Sequence, residues 1–169
     1  MTPSGTLEIL ALGRRHDRAA FSCGIEALDR YLKTQANQDV RRRVARVFVC
    51  CEQGSDTILG YYTLSALSID LSSLPEDRAR RLPRHPVPAA LIGRLAVSRD
   101  AQGQGIGRLL LANAVTRSLA VSEEIAIHAM VVDAKDERAK GFYEAFGFKP
   151  LVDEPRRLYL SLASQTVSR

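Results

Sequence analysis

The part of the chain best suited to chemistry begins at Gln102-Gly103-Gln104-Gly105-Ile106-Gly107. Three glycines alternate there with larger residues, directly behind the apolar run Leu91-Ile92-Gly93-Arg94-Leu95-Ala96-Val97. Glycine admits positive φ and lets a ligand approach the backbone closely. The next segment, Ile106–Ala120, carries Ile106, Leu109, Leu110, Ala114 and Val115 at helical spacing. The N–H groups of the loop and first helical turn then lack internal partners and point, with the helix dipole, at one spot ahead of the helix. Such a spot holds an anion, and a diphosphate fits it. Arg108, just inside the helix, adds charge. The dinucleotide fingerprint needs Gly-x-Gly-x-x-Gly and the nucleotide-triphosphate loop needs Gly-Lys-Ser/Thr; Gly103-x-Gly105-x-Gly107 satisfies neither. A plain glycine-rich turn remains an alternative.

The second group with chemical potential is cationic. The formal charge is +5, unevenly spread: residues 14–46 carry nine Arg or Lys against four acids. Arg41, Arg42, Arg43 and Arg46 form one cluster, and Arg78, Arg80, Arg81 and Arg84 a second. Clusters of this kind favour an anionic partner, against the simpler reading of a solvated surface. The three cysteines, Cys23, Cys50 and Cys51, suit buried thiols better than a disulfide framework. His16, His85 and His128 are scattered, and no metal site is expected. The length of 169 residues fits one domain, 1–169. No apolar run is long enough to span a bilayer and the N-terminus does not read as a secretory signal, so a cytoplasmic protein is expected.

The elements that must position these groups read as mixed α/β. Leu7–Leu12 is a strand. Ser22 is a candidate cap for one long amphipathic helix over 24–43, with Ile25, Leu28, Leu32, Ala36 and Val40 on its apolar face. Residues 47–51 and 58–69 read as a hairpin around Gly54-Ser55-Asp56. A proline-rich connection follows, with a helical turn at 76–81. Strands at 90–97, 125–132 and 158–160 alternate with helices at 106–120 and 136–146, the last stopped by Gly147.

The glycine loop, Gln-x-x-Gly-x-Gly behind an apolar strand, resembles the acetyl-CoA motif of the GNAT superfamily of N-acetyltransferases. Ala139-Lys140-Gly141-Phe142-Tyr143-Glu144-Ala145-Phe146-Gly147-Phe148 is similar to a second segment of that family; Asp136 stands where many members have Asn. The resemblance implies the GNAT fold: a central, mixed but mostly antiparallel twisted sheet with strands 4 and 5 splayed, flanked by helices. It implies acetyl-CoA as cosubstrate, the pantetheine arm paired to Leu95, Ala96 and Val97, and the diphosphate on Gln102 to Arg108. It also implies Tyr143 as the general acid for the departing thiolate, the alternative being an aromatic packing residue beside Phe142 and Phe146. No carboxylate presents itself as a base. Asp133 is a weak candidate, better read as a helix cap. A missing base suits an amine that is already neutral, as an α-amine with a pKa of about 8 nearly is.

Phe21-Ser22-Cys23-Gly24, Leu28-Asp29-Arg30-Tyr31-Leu32, Gly60-Tyr61-Tyr62-Thr63 and Gly93-Arg94-Leu95-Ala96-Val97 resemble the GNAT toxins of type II toxin–antitoxin modules. That resemblance implies a toxin that acetylates the α-amino group of aminoacyl-tRNA and blocks translation. It implies a ribbon-helix-helix antitoxin as partner and a homodimer. Arg41, Arg42, Arg43 and Arg46, then Arg78 and Arg81, become candidates for tRNA phosphates. The alternatives are an acetyltransferase for a small amine or a protein N-terminus, and a non-catalytic nucleic-acid-binding protein on the same fold.

Overall fold

The structure is a computed structural model and describes residues 5–165. Seven strands form one sheet: β1 (Leu7–Ala11), β2 (Arg46–Glu52), β3 (Gly60–Ile69), β4 (Val87–Val97), β5 (Ala129–Asp133), β6 (Lys149–Pro150) and β7 (Arg157–Ser161), in the spatial order β1-β2-β3-β4-β5-β7-β6. The helices are α1 (Glu26–Thr34), α2 (Ala36–Arg41), α3 (Glu76–Ala79), α4 (Ile106–Val121) and α5 (Glu137–Phe146). The β1–β2, β2–β3, β5–β7 and β6–β7 ladders are antiparallel, and β4–β5 is parallel. The β4–β5 register runs from Ala89↔Ala129 to Ile92↔Val132, while β4 itself continues to Val97. A mixed, mostly antiparallel sheet in an α/β chain is as expected; the structure adds that β4 and β5 run parallel.

Contacts group the chain into two compact units. The first comprises the described residues up to Ser65 together with Gly93–Ala114. Its core packs Phe21, Tyr31, Leu32 and Ala36 with Val47, Val49, Tyr61 and Ala96. The two tyrosines of β3 alternate across the sheet. Tyr61 donates to the Leu28 carbonyl of α1 at 2.6 Å, and Tyr62 donates to Asn113 Oδ1 of α4 at 2.7 Å. The second unit comprises Ala66–Ile92 and the described residues from Val115 onward. Ile69, Leu74, Val87, Ala89, Val131 and Tyr159 are central in its core.

The long helix expected over 24–43 is broken at Gln35 (φ −120°, ψ −30°). Thr34 supplies a reason. Its hydroxyl donates to the Arg30 carbonyl at 2.8 Å, a back-bond that bends helices. The break also lets Tyr31 donate to Asp39 Oδ2 at 2.8 Å, although residues eight apart on a straight helix lie about 12 Å apart along its axis. Ser22 is not the helix cap. The N-cap of α1 is Ile25, with no side-chain cap, and Asp29 reaches back instead to accept from the Cys23 N–H at 2.9 Å.

Helix α2 ends in a Schellman arrangement: Arg43 N–H donates to the Val40 carbonyl and Val44 N–H to the Asp39 carbonyl. The left-handed residue this needs is Arg43 (φ 60°), the one non-glycine residue at positive φ among those described. Gly147 caps α5 at φ 116°, as expected. The strand expected at 125–132 begins only at Ala129, because Ile125 is 67% exposed and lies outside the ladder.

Candidate active site

Unit one holds the glycine loop. After β4 the chain makes a 3₁₀ turn at Arg99–Ala101, then Gly103 (φ 80°) and Gly105 (φ 82°) lead into α4. No protein atom lies within 4 Å of where a Cβ would stand on either glycine. Packing therefore does not demand glycine here. The positive φ and an open approach to the backbone do, and that fits the diphosphate of acetyl-CoA. Ile106 is buried and anchors the start of α4, with Gly107 half-buried and Arg108 exposed in its first turn. Leu95 and Val97 are half-buried and Ala96 is buried. Gly60 is what allows Ala96 to come close: a Cβ on it would meet the Ala96 carbonyl oxygen at 2.9 Å.

Gln102 has a use that its place in the motif did not disclose. Its amide Nε2 donates to the Val97 carbonyl and to the Cys23 carbonyl, both at 3.0 Å. Arg99 N–H donates to the Ser22 carbonyl at 2.8 Å. The Phe21–Gly24 segment is thus tied to the loop on both sides of the turn. The nearby Arg94 guanidinium stands 3.6 Å from the centroid of the Tyr31 ring, a close cation–π contact. Gly93-Arg94 belongs to the toxin-like signature, and nothing in its local sequence discloses this contact.

Unit two holds Tyr143, buried at 7% exposure on α5. Its ring meets Phe142 edge-on at 5.3 Å and Phe148 at 5.8 Å. Its hydroxyl hydrogen-bonds to no described residue. Buried tyrosines ordinarily find a partner for the O–H, so this one is available to a bound molecule. Burial, assisted by the Asp133 charge, pushes the phenol up to about 12. Asp133 does not cap α5. Asp136 does, accepting from Ala139 N–H at 2.8 Å. Asp133 is instead gripped by Arg157 through Nε at 2.7 Å and Nη2 at 2.9 Å. A carboxylate held this way is poorly placed to act as a base.

The arginine candidates separate by unit. Arg41, Arg42, Arg43 and Arg46 are exposed in unit one, Arg46 lying 5.9 Å from the Phe48 ring. Arg78 is half-buried over Tyr159, Arg80 pairs with Glu76 at 2.9 Å, and Arg81 is exposed, all in unit two. Cys50 and Cys51 are buried thiols pushed up to about 11, too weakly acidic for nucleophilic work. Among the described residues no group of His, Cys, Asp and Glu could hold a metal, and no helix is long and apolar enough to cross a membrane.

A family model for the acetyltransferase (GNAT) domain matches residues 43–150. The chain belongs to the GNAT acetyltransferase family. It is 35% identical over 144 residues to the tRNA-acetylating toxin of Mycobacterium tuberculosis (strain ATCC 25618 / H37Rv), covering 85% of each chain. A structure of AtaT complexed with acetyl-methionyl-tRNAfMet superposes with a TM-score of 0.89 at 32% identity, covering 94% of this chain and 96% of that one. A tyrosine-to-phenylalanine variant of the toxin AtaT, bound to the C-terminus of the antitoxin AtaR and to acetyl-CoA, matches with a TM-score of 0.80 at 31% identity over 94% of each chain. The strand order with its parallel β4–β5 pair is the GNAT arrangement, and the chemistry of this GNAT chain is N-acetyl transfer.

Proposed function

We propose that the protein is a toxin that transfers the acetyl group of acetyl-CoA to the α-amino group of aminoacyl-tRNA, and so withdraws the charged tRNA from translation. The observation that carries the chemistry is a buried tyrosine, Tyr143, whose hydroxyl has no described protein partner. In this reading residues 1–169 work as one acetyltransferase domain. Gly103, Gln104, Gly105, Ile106, Gly107 and Arg108 hold the diphosphate, helped by the α4 dipole. Leu95, Ala96 and Val97 pair with the pantetheine arm as an added strand would. Gln102 supports the site by bracing the loop. Tyr143 donates its proton to the departing sulfur. A phenol pushed up to about 12 keeps its proton throughout the neutral range, so the donor form is always present. The proton shed by the attacking amine replaces the one Tyr143 gives, and no phenolate is left behind.

The electrostatics of unit one support the choice of substrate. Arg41, Arg42 and Arg43 enter no ion pair among the described residues, and Arg43 occupies a left-handed position where glycine is far less strained. An arginine kept at such a position suggests that its charge is used. Arg46, Arg78 and Arg81 extend the phosphate-binding assignment. The partners in this reading are the aminoacyl-tRNA, a ribbon-helix-helix antitoxin and a second copy of the chain, in the cytoplasm. The decisive experiment incubates the purified protein with labelled acetyl-CoA and a charged tRNA pool. Label is expected on the amino acid of alkali-labile aminoacyl esters. Label confined to proteins or small amines would overturn the substrate assignment.

A further inference from the structure

A basic cleft in unit one lies beside the Phe21–Gly24 segment, the N-terminal strap, outside the loop assigned to the diphosphate. Gly24, Asp29, Arg30, Lys33 and Arg99 are among the residues that line it, around a volume of about 370 Å³. Two acids, Glu26 and Asp29, share the lining. Asp29 accepts from the Cys23 N–H at 2.9 Å, and Glu26 lies 3.6 Å from Arg30. Lys33 and Arg99 enter no ion pair among the described residues, and three cations against two acids leave the lining with a net positive charge.

Arg99 is exposed, but its backbone is anchored. Its backbone N–H is fixed to the Ser22 carbonyl at 2.8 Å. Its guanidinium lies against Gly24, where a Cβ would stand 3.2 Å from Nε and 3.5 Å from Nη2. Gly24 sits at φ +95°, a conformation that residues with a side chain rarely adopt. Part of the entropy that an exposed arginine loses on gripping a ligand is therefore already lost, which favours binding. A planar guanidinium and a compact ammonium lining one cleft suit a phosphate, which accepts from both.

We infer that this cleft binds a phosphate group, through Arg99 and Lys33, at a site separate from the Gly103–Gly107 loop. Two sources carry that chemistry: the 3′-phosphate of coenzyme A, and a phosphodiester of bound RNA. The choice between them rests on the reading of the chain as an acetyl-CoA and aminoacyl-tRNA enzyme; the phosphate site itself does not. The test compares the full-length wild type with the Lys33→Gln/Arg99→Gln double variant, checked for an unchanged melting temperature, with each single variant as a second line. Titration with acetyl-CoA, with its 3′-dephospho analogue and with charged tRNA reads the source. At least a tenfold loss for acetyl-CoA with the dephospho analogue unaffected assigns the 3′-phosphate. A tenfold loss for tRNA alone, with the log–log salt slope reduced by about 1 to 2, assigns the RNA backbone. Inorganic phosphate is titrated separately, following the Gly24 amide and Arg99 Nε signals by NMR. Shifts there in the wild type, lost in the double variant, support the site even if neither larger ligand binds, an outcome that would end the enzymatic reading alone. Unchanged affinity for both large ligands, or no shift with phosphate, overturns the inference.

Discussion

Arg43 is where stability and function should pull in opposite directions. The residue closes α2 at φ 60° with an exposed guanidinium that enters no ion pair among the described residues. A non-glycine residue in the left-handed region costs about 1–2 kcal/mol. Glycine removes that strain but frees the unfolded chain by about 0.4–1 kcal/mol. Arg43→Gly should therefore stabilise the fold by about 0.5–1 kcal/mol, which for a chain of this size raises Tm by about 1–4 °C. Arg43→Ala keeps the strain, and its melting temperature should match the wild type. Both variants lose the charge. If Arg43 contacts a phosphate, each should lose about 1 kcal/mol of tRNA binding, roughly fivefold, and lower the salt slope by about 0.7–0.9. Arg43→Lys should keep most of the activity at unchanged stability. Thermal melts and acetylation of charged tRNA over a salt series read both effects in the same preparations. The reasoning fails if Arg43→Gly melts no higher than Arg43→Ala, for then the left-handed position stores no strain. It fails equally if both variants acetylate tRNA at the wild-type rate across the salt series.

Other expectations follow from two of the buried titratable side chains, Tyr143 and His16. Tyr143→Phe should lower the acetylation rate about 10²- to 10⁴-fold, the usual worth of a positioned acid, with acetyl-CoA affinity by calorimetry within a few-fold of the wild type. The rate should climb with pH through the amine pKa of the substrate, about 7–8, and then stay level, because the phenol at about 12 remains protonated; a falling limb near pH 9 would disprove the assignment. His16 is buried at 5% exposure, and burial holds its pKa below the usual 6.5. The unfolded chain then binds more protons below that pH, so the stability His16 contributes is present above pH 6.5 and is lost as the pH falls. Melting temperatures between pH 7 and 5 should drop more for the wild type than for His16→Gln; parallel curves would refute it.

How far the sequence is legible depends on the distance over which each signal acts. The glycine loop between β4 and α4 and the Gly147 cap are local, and each stands as expected; of the apolar positions expected on α4, Ile106, Leu110, Ala114 and Val115 are buried but Leu109 is 40% exposed. The break between α1 and α2 is local too, but it is made by polar side chains, the Thr34 back-bond and Tyr31 meeting Asp39, which an unbroken apolar period conceals. The late start of β5 escaped notice because Ile125 is apolar and yet 67% exposed. The two-residue β6 has no periodicity to read. Asp133 was mistaken for a cap because its true partner, Arg157, is 24 residues distant. Ser22 was mistaken for another because its carbonyl, not its hydroxyl, makes the useful bond.

Gln102 gives the sharpest example of a motif residue whose type has a reason outside the motif. Its amide hydrogens are spent on two carbonyls, Val97 behind the loop and Cys23 in the N-terminal strap. The requirement at this position is thus a side chain with two donors and no charge repelled by oxygen. Gln102→Glu tests this at constant shape. It deletes both bonds, worth about 1 kcal/mol each, and sets a carboxylate against two carbonyl oxygens beside the proposed diphosphate site. It should lower stability by about 2 kcal/mol and weaken acetyl-CoA binding well beyond tenfold. Gln102→Arg keeps the donors and should bind acetyl-CoA nearly as the wild type does. Gln102→Met removes donors without adding charge and should fall between the two. If instead the affinity follows side-chain charge alone, with Met equal to Gln, the brace is irrelevant to the cradle. The Phe21–Gly24 segment would then have no part in holding acetyl-CoA.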